Sequence, residues 1–263
     1  MPLQFANKPG LVAYITVGDP DLQTTHSIAL AAIDTGADVL ELGVPFSDPL
    51  ADGPVIQRAS ERALKNGTHL RDVLGLAATL RRERPGAGLV IFTYYNPLLR
   101  FGLDNFCDAA EQAGVDGVLV TDMIVEEAGD YLAAMRRHHL DPIFLAAPTS
   151  PDMRLESICA VSRGFVYAIS RTGITGAQKS LTGDAEELVR RLRRFTQLPI
   201  AVGFGISTPE QFAVVGEFAD AAVVGSALVA TIEEAGPQHA ASSIARFIQG
   251  LRGGVREPAV PAR

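Results

Sequence analysis

Lysine is nearly missing. The 263-residue chain has only Lys8, Lys65 and Lys179. None falls in a segment that reads as a strand, which argues against a Schiff-base lysine. Histidine is almost as sparse: His26, His69, His138, His139 and His239 lie in helix-like or loop segments. They show no metal-ligand spacing, and the neighbours His138 and His139 should point to different faces of a helix. The two cysteines, Cys107 and Cys159, are far apart in helix-like stretches and read as buried free thiols, which suits a reducing compartment. No G-x-S-x-G elbow occurs, and no dinucleotide fingerprint follows the first strand. No apolar run reaches the roughly 18 residues that a membrane span needs, and the opening MPLQFANKPG has no apolar stretch of signal-peptide type. Cations are too few to coat a nucleic acid: the formal net charge is −7. The cluster Arg190, Arg191, Arg193 and Arg194 is the exception, and it reads as a solvated helix face. These absences point to a cytoplasmic chain without metal or cofactor, partnered neither by nucleic acid nor by membrane. Its chemical tools are carboxylates, a few tyrosines and glycine-rich loops.

What is present is apolar material in a regular rhythm. The hydrophobic fraction is 47% and charged residues make up 20%, enough for one sizeable core. Eight apolar runs read as strands: 11–18, 39–45, 88–95, 117–122, 142–148, 165–170, 199–205 and 221–227. Most are continuous rather than alternating, as expected of parallel strands covered on both faces. Between them lie amphipathic stripes such as Val73, Leu76, Ala77 and Leu80, or Leu188, Val189, Leu192 and Phe195. Ser207 to Glu210, STPE, reads as a capping box with proline in the first turn. Eight strand–helix units without a linker predict a single (β/α)8 barrel over 1–251, with an extra helix after strand two and a flexible tail over 252–263. An open doubly wound sheet is the competing architecture.

In a barrel the chemistry sits at the carboxyl ends of the strands. Glu41 stands inside the apolar run VLELGVP and should be buried with a raised pKa, as a general acid that also serves as a base requires. The alternative is a buried glutamate satisfied by neighbours and without a chemical role. The rigid, acidic loop that follows holds Asp48 and Asp52; taken alone, Asp52 in ADGP reads as an ordinary turn aspartate. Glycines at the ends of strands six to eight, with Gly203, Gly205 and Gly225, fit a phosphate cradle, although any one of them is also an ordinary tight-turn residue. The stretch from Thr172 to Leu181 reads as a mobile lid. Carboxylates, tyrosines and a phosphate cradle suit proton transfer on a small phosphorylated molecule.

The string ELGVPFSDPLADGPVIQRA closely resembles the signature of the tryptophan synthase alpha subunit family. The likeness continues through YITVGDPD, YYNPLLRFG, GVDGVLVTD, APTSP, SRTGITGA, GFGISTPEQ and VVGSALV, nearly the whole chain. It implies a (β/α)8 barrel that cleaves indole-3-glycerol phosphate to indole and glyceraldehyde 3-phosphate by a retro-aldol reaction. By this resemblance Glu41 is the acid–base and Asp52 accepts from the indole N–H. Tyr167 lies beside the catalytic glutamate, and Thr175 of the lid orders Asp52. Tyr14, Ile56, Phe92, Tyr94 and Phe204 fall where the family lines its indole pocket, while Gly176, Gly205, Gly225 and Ser226 match its phosphate-binding positions. Pro45 and Asp48 match the region that meets a beta subunit; in the family that partner carries pyridoxal phosphate in an α2β2 complex, and this chain carries no cofactor. Ile124 stands where the family often has proline, and Ala221 where glycine is common. A stand-alone indole-releasing lyase and another phosphate-binding barrel lyase or isomerase are the alternatives.

Overall fold

A computed structural model describes residues 3–169, 178–203 and 205–253. Its strands and helices alternate along the chain. β1 (Gly10–Thr16) leads to α1 (Leu22–Asp34), and β2 (Val39–Gly43) to α2 (Pro54–Lys65) and α3 (Leu70–Glu83). β3 (Gly88–Thr93) is followed by α4 (Tyr95–Phe101) and α5 (Leu103–Gln112), and β4 (Gly117–Val120) by α6 (Gly129–Arg137). Then come β5 (Asp141–Ile143), β6 (Leu145–Ala146), α7 (Asp152–Val161), β7 (Val166–Ile169), α8 (Gln178–Leu192), β8 (Ile200–Gly203), α9 (Pro209–Phe218), β9 (Ala221–Val224) and α10 (Ser226–Gly253). The extra helix expected after strand two is α2. A further short one, α4, follows β3; the Asp122 carboxylate accepts from Tyr95 N–H at 2.8 Å and caps its start.

All ladders are parallel, in the order β5-β4-β3-β2-β1-β9-β8-β7-β6. The fifth expected strand is split at Phe144: its first half, β5, pairs with β4 and its second, β6, with β7. Tyr167 N–H donates to the Phe144 carbonyl at 3.1 Å across this join, which brings the two ends of the sheet together as a barrel.

Period-two alternation sorts the side chains into two layers. Val12, Val39, Val90, Leu119, Ile143, Ala201 and Val223 face inward and pack with Leu3 and Phe165. Leu11, Ala13, Leu40, Leu42, Leu89, Ile91 and Val118 face outward into the helix layer. Both faces are therefore dry, which explains the continuous apolar runs.

At the amino ends of the strands one device recurs three times. Asp38, Asp116 and Asp220 each stand just before β2, β4 and β9. Each accepts a backbone N–H from the neighbouring strand, Leu11 (2.8 Å), Leu89 (2.8 Å) and Ile200 (2.7 Å) respectively. Each also pairs with an arginine from the helix layer: Arg252, Arg81 and Arg193.

Some local expectations shift. The capping box sits one residue later than expected, with Thr208 as the cap, Gln211 as its reciprocal partner and Pro209 opening the helix. His138 and His139 do not diverge: α6 stops at Arg137, His139 takes a positive φ of 55°, and both rings meet the Glu111 carboxylate. The arginine cluster on and after α8 is paired, with Glu187, Asp152 and Asp220. Both cysteines are free and buried. α10 is two helices joined at Gly236 (φ 67°) and Pro237. Arg252 is tied to Asp38 and the Gly36 carbonyl; the rest of the expected tail, from 254, lies outside the described residues.

Candidate active site

Glu41 is central in β2, level with Tyr14 of β1 and Val90 of β3. Its neighbours Leu40 and Leu42 face the helices, so the pleat turns the carboxyl into the barrel. It is 1% exposed. Among the described residues, Glu41 Oε1 is the buried side-chain oxygen without a hydrogen-bond partner. Burial pushes its pKa up to about 8. The carboxyl is therefore protonated at neutral pH and can give that proton away.

Asp52 comes from the loop between β2 and α2. Loop turns are closed by Leu50 N–H to the Asp48 carbonyl and Asp52 N–H to the Pro49 carbonyl. Tyr94, at the end of β3, reaches under this loop. Its hydroxyl accepts from Ala51 N–H at 2.9 Å and donates to Asp52 Oδ2 at 3.1 Å. From the helix side, Gln57 Nε2 donates to the Asp52 carbonyl at 2.9 Å. Burial raises the Asp52 pKa to about 6, and the Tyr94 hydrogen bond pulls it back part of the way. The two carboxyl groups thus differ in the sense that acid–base chemistry at neutral pH calls for: one retains its proton and the other has lost it.

Aromatic rings connect them. Tyr14 meets Phe92 edge-on at 5.0 Å between ring centres, and Phe46 tilts against Tyr94 at 5.0 Å. Ile56, Val55 and Ala59 of α2 and Val229 of α10 pack with Tyr14 and Phe92. Tyr14 is raised by burial and then by the charges of Asp52 and Glu41; Tyr167 is raised by burial and then by Glu41 and Asp52. Each of these tyrosines senses both carboxylates, so strands far apart in sequence converge on one site. Two glycines leave room for them. A Cβ on Gly43 would lie 2.4 Å from the Tyr14 hydroxyl, and one on Gly203 2.2 Å from that of Tyr167.

Gly205 and Gly225 lie just beyond the carboxyl ends of the adjacent strands β8 and β9. Gly205 has φ +74°, which favours glycine. Ser226 opens α10, whose first backbone N–H groups have no partner within the helix and suit an anion. Pro45 is buried and Asp48 exposed on the loop after β2. Thr175, Gly176 and Phe204 lie outside the described residues, as does 172–177 of the expected lid; α8 already begins at Gln178. The sequence reading did not single out Gln57, Phe46 or Thr16, whose hydroxyl lies 3.3 Å from that of Tyr14. Gln57 was in view, at the end of the quoted signature, but its bond to the loop depends on how α2 leaves the barrel. Among the described residues no cluster of side chains could hold a metal ion.

A parallel barrel with two unlike carboxylates, one inside β2 and one on the loop after it, and glycine-bearing strand ends beside them has the make-up of an acid–base enzyme. Comparison with known proteins narrows this. Residues 2–254 match the family model described as Tryptophan synthase alpha chain. The tryptophan synthase alpha chain of Solibacter usitatus is 52% identical, covering 88% of this chain and 86% of the relative. That of Chloroflexus aurantiacus is 44% identical over 97% and 96%. Among solved structures, a chain of the tryptophan synthase a2b2 complex of Pyrococcus furiosus superposes with a TM-score of 0.88 at 41% identity, covering 94% of this chain and 98% of that one. A Mycobacterium tuberculosis tryptophan synthase chain gives 0.87 at 38%, over 95% and 94%. The chain belongs to the tryptophan synthase alpha chain family, and is a carbon–carbon lyase of tryptophan biosynthesis.

Proposed function

We propose that Glu41 and Asp52 together carry the retro-aldol cleavage of indole-3-glycerol phosphate to indole and glyceraldehyde 3-phosphate. Neutral Glu41 delivers its proton to C3 of the indole ring. The ring becomes an indolenine with positive charge on nitrogen, and ionised Asp52 accepts from that N–H; in a dry site this is worth far more than in water. Glu41, now a carboxylate, takes the hydroxyl proton of the adjacent side-chain carbon, directly or through one water. The C–C bond breaks, its electrons return to the ring, and the aldehyde leaves with Glu41 reprotonated. Tyr14, Ile56, Phe92, Tyr94 and Phe204 enclose the flat ring, with Tyr167 beside Glu41. Gly176, Gly205, Gly225 and Ser226 hold the phosphate, binding energy remote from the reacting bond that positions it. Thr175 completes the order around Asp52.

The observation that carries this reading is the buried, unpartnered Glu41 Oε1 in an interior where the other described buried side-chain polar atoms are satisfied. A reacting substrate atom supplies its missing partner. Glu41→Gln and Asp52→Asn in an indole-release assay test it: each should lower turnover by about a hundredfold or more while the fold persists. Near-normal release by either variant would remove that residue from the mechanism.

Free indole is apolar and crosses membranes, so its producer gains from a partner that consumes it. The loop with Pro45 and Asp48 meets that partner, a beta subunit carrying pyridoxal phosphate, in an α2β2 complex in the cytoplasm. Large apolar side chains support this: Leu50 (94% exposed), Leu99 (54%), Ile124 (43%) and Met153 (81%) lie after β2, β3, β4 and β6, on one side of the barrel mouth.

A further inference from the structure

The mechanism leaves one buried carboxylate at the active face unused. Asp19, in the loop after β1, is 3% exposed. Arg62, near the end of α2, donates to it from Nε at 2.7 Å and Nη2 at 2.8 Å, a two-point contact. The third arm, Nη1, donates to Glu233 of α10 at 2.7 Å, and Arg58 binds that same carboxylate at 2.9 Å and 3.2 Å. One turn of chain further on, Asn66 Nδ2 donates to the carbonyls of Gly18 (3.3 Å) and Pro20 (2.5 Å). The far end of α2 is thus fixed against β1 and α10. Its near end carries the site: Ile56 packs at Tyr14, and Gln57 holds the Asp52 main chain.

Asp19 is buried while Arg62 is one-third exposed; such a pair is a poor source of stability, because desolvation of the carboxylate offsets most of the attraction, and its best-attested use is to specify one arrangement. Geometry at a reacting centre is where such specification matters, since a displacement of about 1 Å there costs on the order of a hundredfold in rate. We infer that Arg62, through its two-point contact with Asp19, is a positioning residue for the reaction: it holds α2 as a rigid arm that sets the aim of Asp52 and the wall at Ile56. This rests on the catalytic role proposed for Asp52. Arg62 lies six residues from Ile56, about 9 Å along the helix, and acts without touching substrate.

The test replaces the pair by an apolar one, Asp19→Leu with Arg62→Met. An apolar pair of similar size keeps or raises stability, so the thermal midpoint should equal or exceed the parent's. The kcat for indole release should nevertheless fall about tenfold, with KM within about threefold because the phosphate end is untouched. Arg62→Lys, which keeps the charge but loses the planar fork, should lie between the two, and it decides the matter should the double variant fail to fold. A folded variant with parental kcat would overturn the inference, as would a KM rise that accounts for the whole loss. Failure of the parent protein itself to release indole would instead overturn the catalytic reading, as would full turnover by Asp52→Asn in the same series.

Discussion

Glu41 is a residue whose protonation depends on what surrounds it. In the unfolded chain it titrates near 4.5, and in the folded barrel near 8. Between those values the folded state holds a proton that the unfolded state has released, so this group's contribution to stability is full below pH 4.5 and drains away as pH rises through 8. Glu41→Gln keeps the shape and cannot ionise. Its unfolding midpoint should match the parent's at the acid end of this window and exceed it increasingly toward pH 8; parallel curves would mean that the carboxyl is solvated. The same two groups set the activity profile. The kcat/KM should rise through about pH 6 as Asp52 ionises and fall through about pH 8 as Glu41 loses its proton. A flat profile across that range would mean that neither ionisation governs the reaction, and would contradict this division of roles. The burial of Glu41 was legible from its apolar flanks alone. The partial burial of Asp52 was not, because a turn sequence reads the same whether or not a tyrosine from another strand lies beneath it.

Elements are held by groups that make no chemistry. The Asp38, Asp116 and Asp220 carboxylates each join a strand end, its neighbour's N–H and a helix arginine. Removing one strands a backbone donor and an arginine together. Asp38→Ala should lower stability by about 1–3 kcal/mol in urea unfolding, with kcat unchanged, because the amino-terminal face of the barrel lies away from the site. Loss of activity without loss of stability would contradict that separation. The triplets GAD, GVD and FAD before three strands stand openly in the sequence. Their partners are between 20 and 214 residues away, so local pattern could not reveal what they bind. The same limit explains the histidines: His139 leaves the helix at a left-handed residue, and adjacency then brings both rings to Glu111.

At the scale of the whole molecule, closure of the barrel makes the site. β5 and β6 join the two ends of the sheet, and the carboxyl ends of β1, β2, β3, β7, β8 and β9 then meet at one mouth. The apolar rim beside it predicts the partner contact. Ile124→Asp with Met153→Asp should abolish co-elution with a beta subunit on size exclusion while basal indole release stays within about twofold, since charge at a rim breaks docking and both residues lie off the loop that carries Asp52. Unchanged co-elution would move the interface elsewhere.

The linear chain by itself determined the rhythm of eight strand–helix units, the carboxylate set in an apolar strand, and the long signature after it, because hydrophobic period and turn chemistry are local. Tertiary structure decided which tyrosines face which carboxylates, how far Asp52 is desolvated, and that Arg62 of α2 meets the buried Asp19. Those properties are set by groups distant in sequence, and they come into being only when the sheet closes and water leaves.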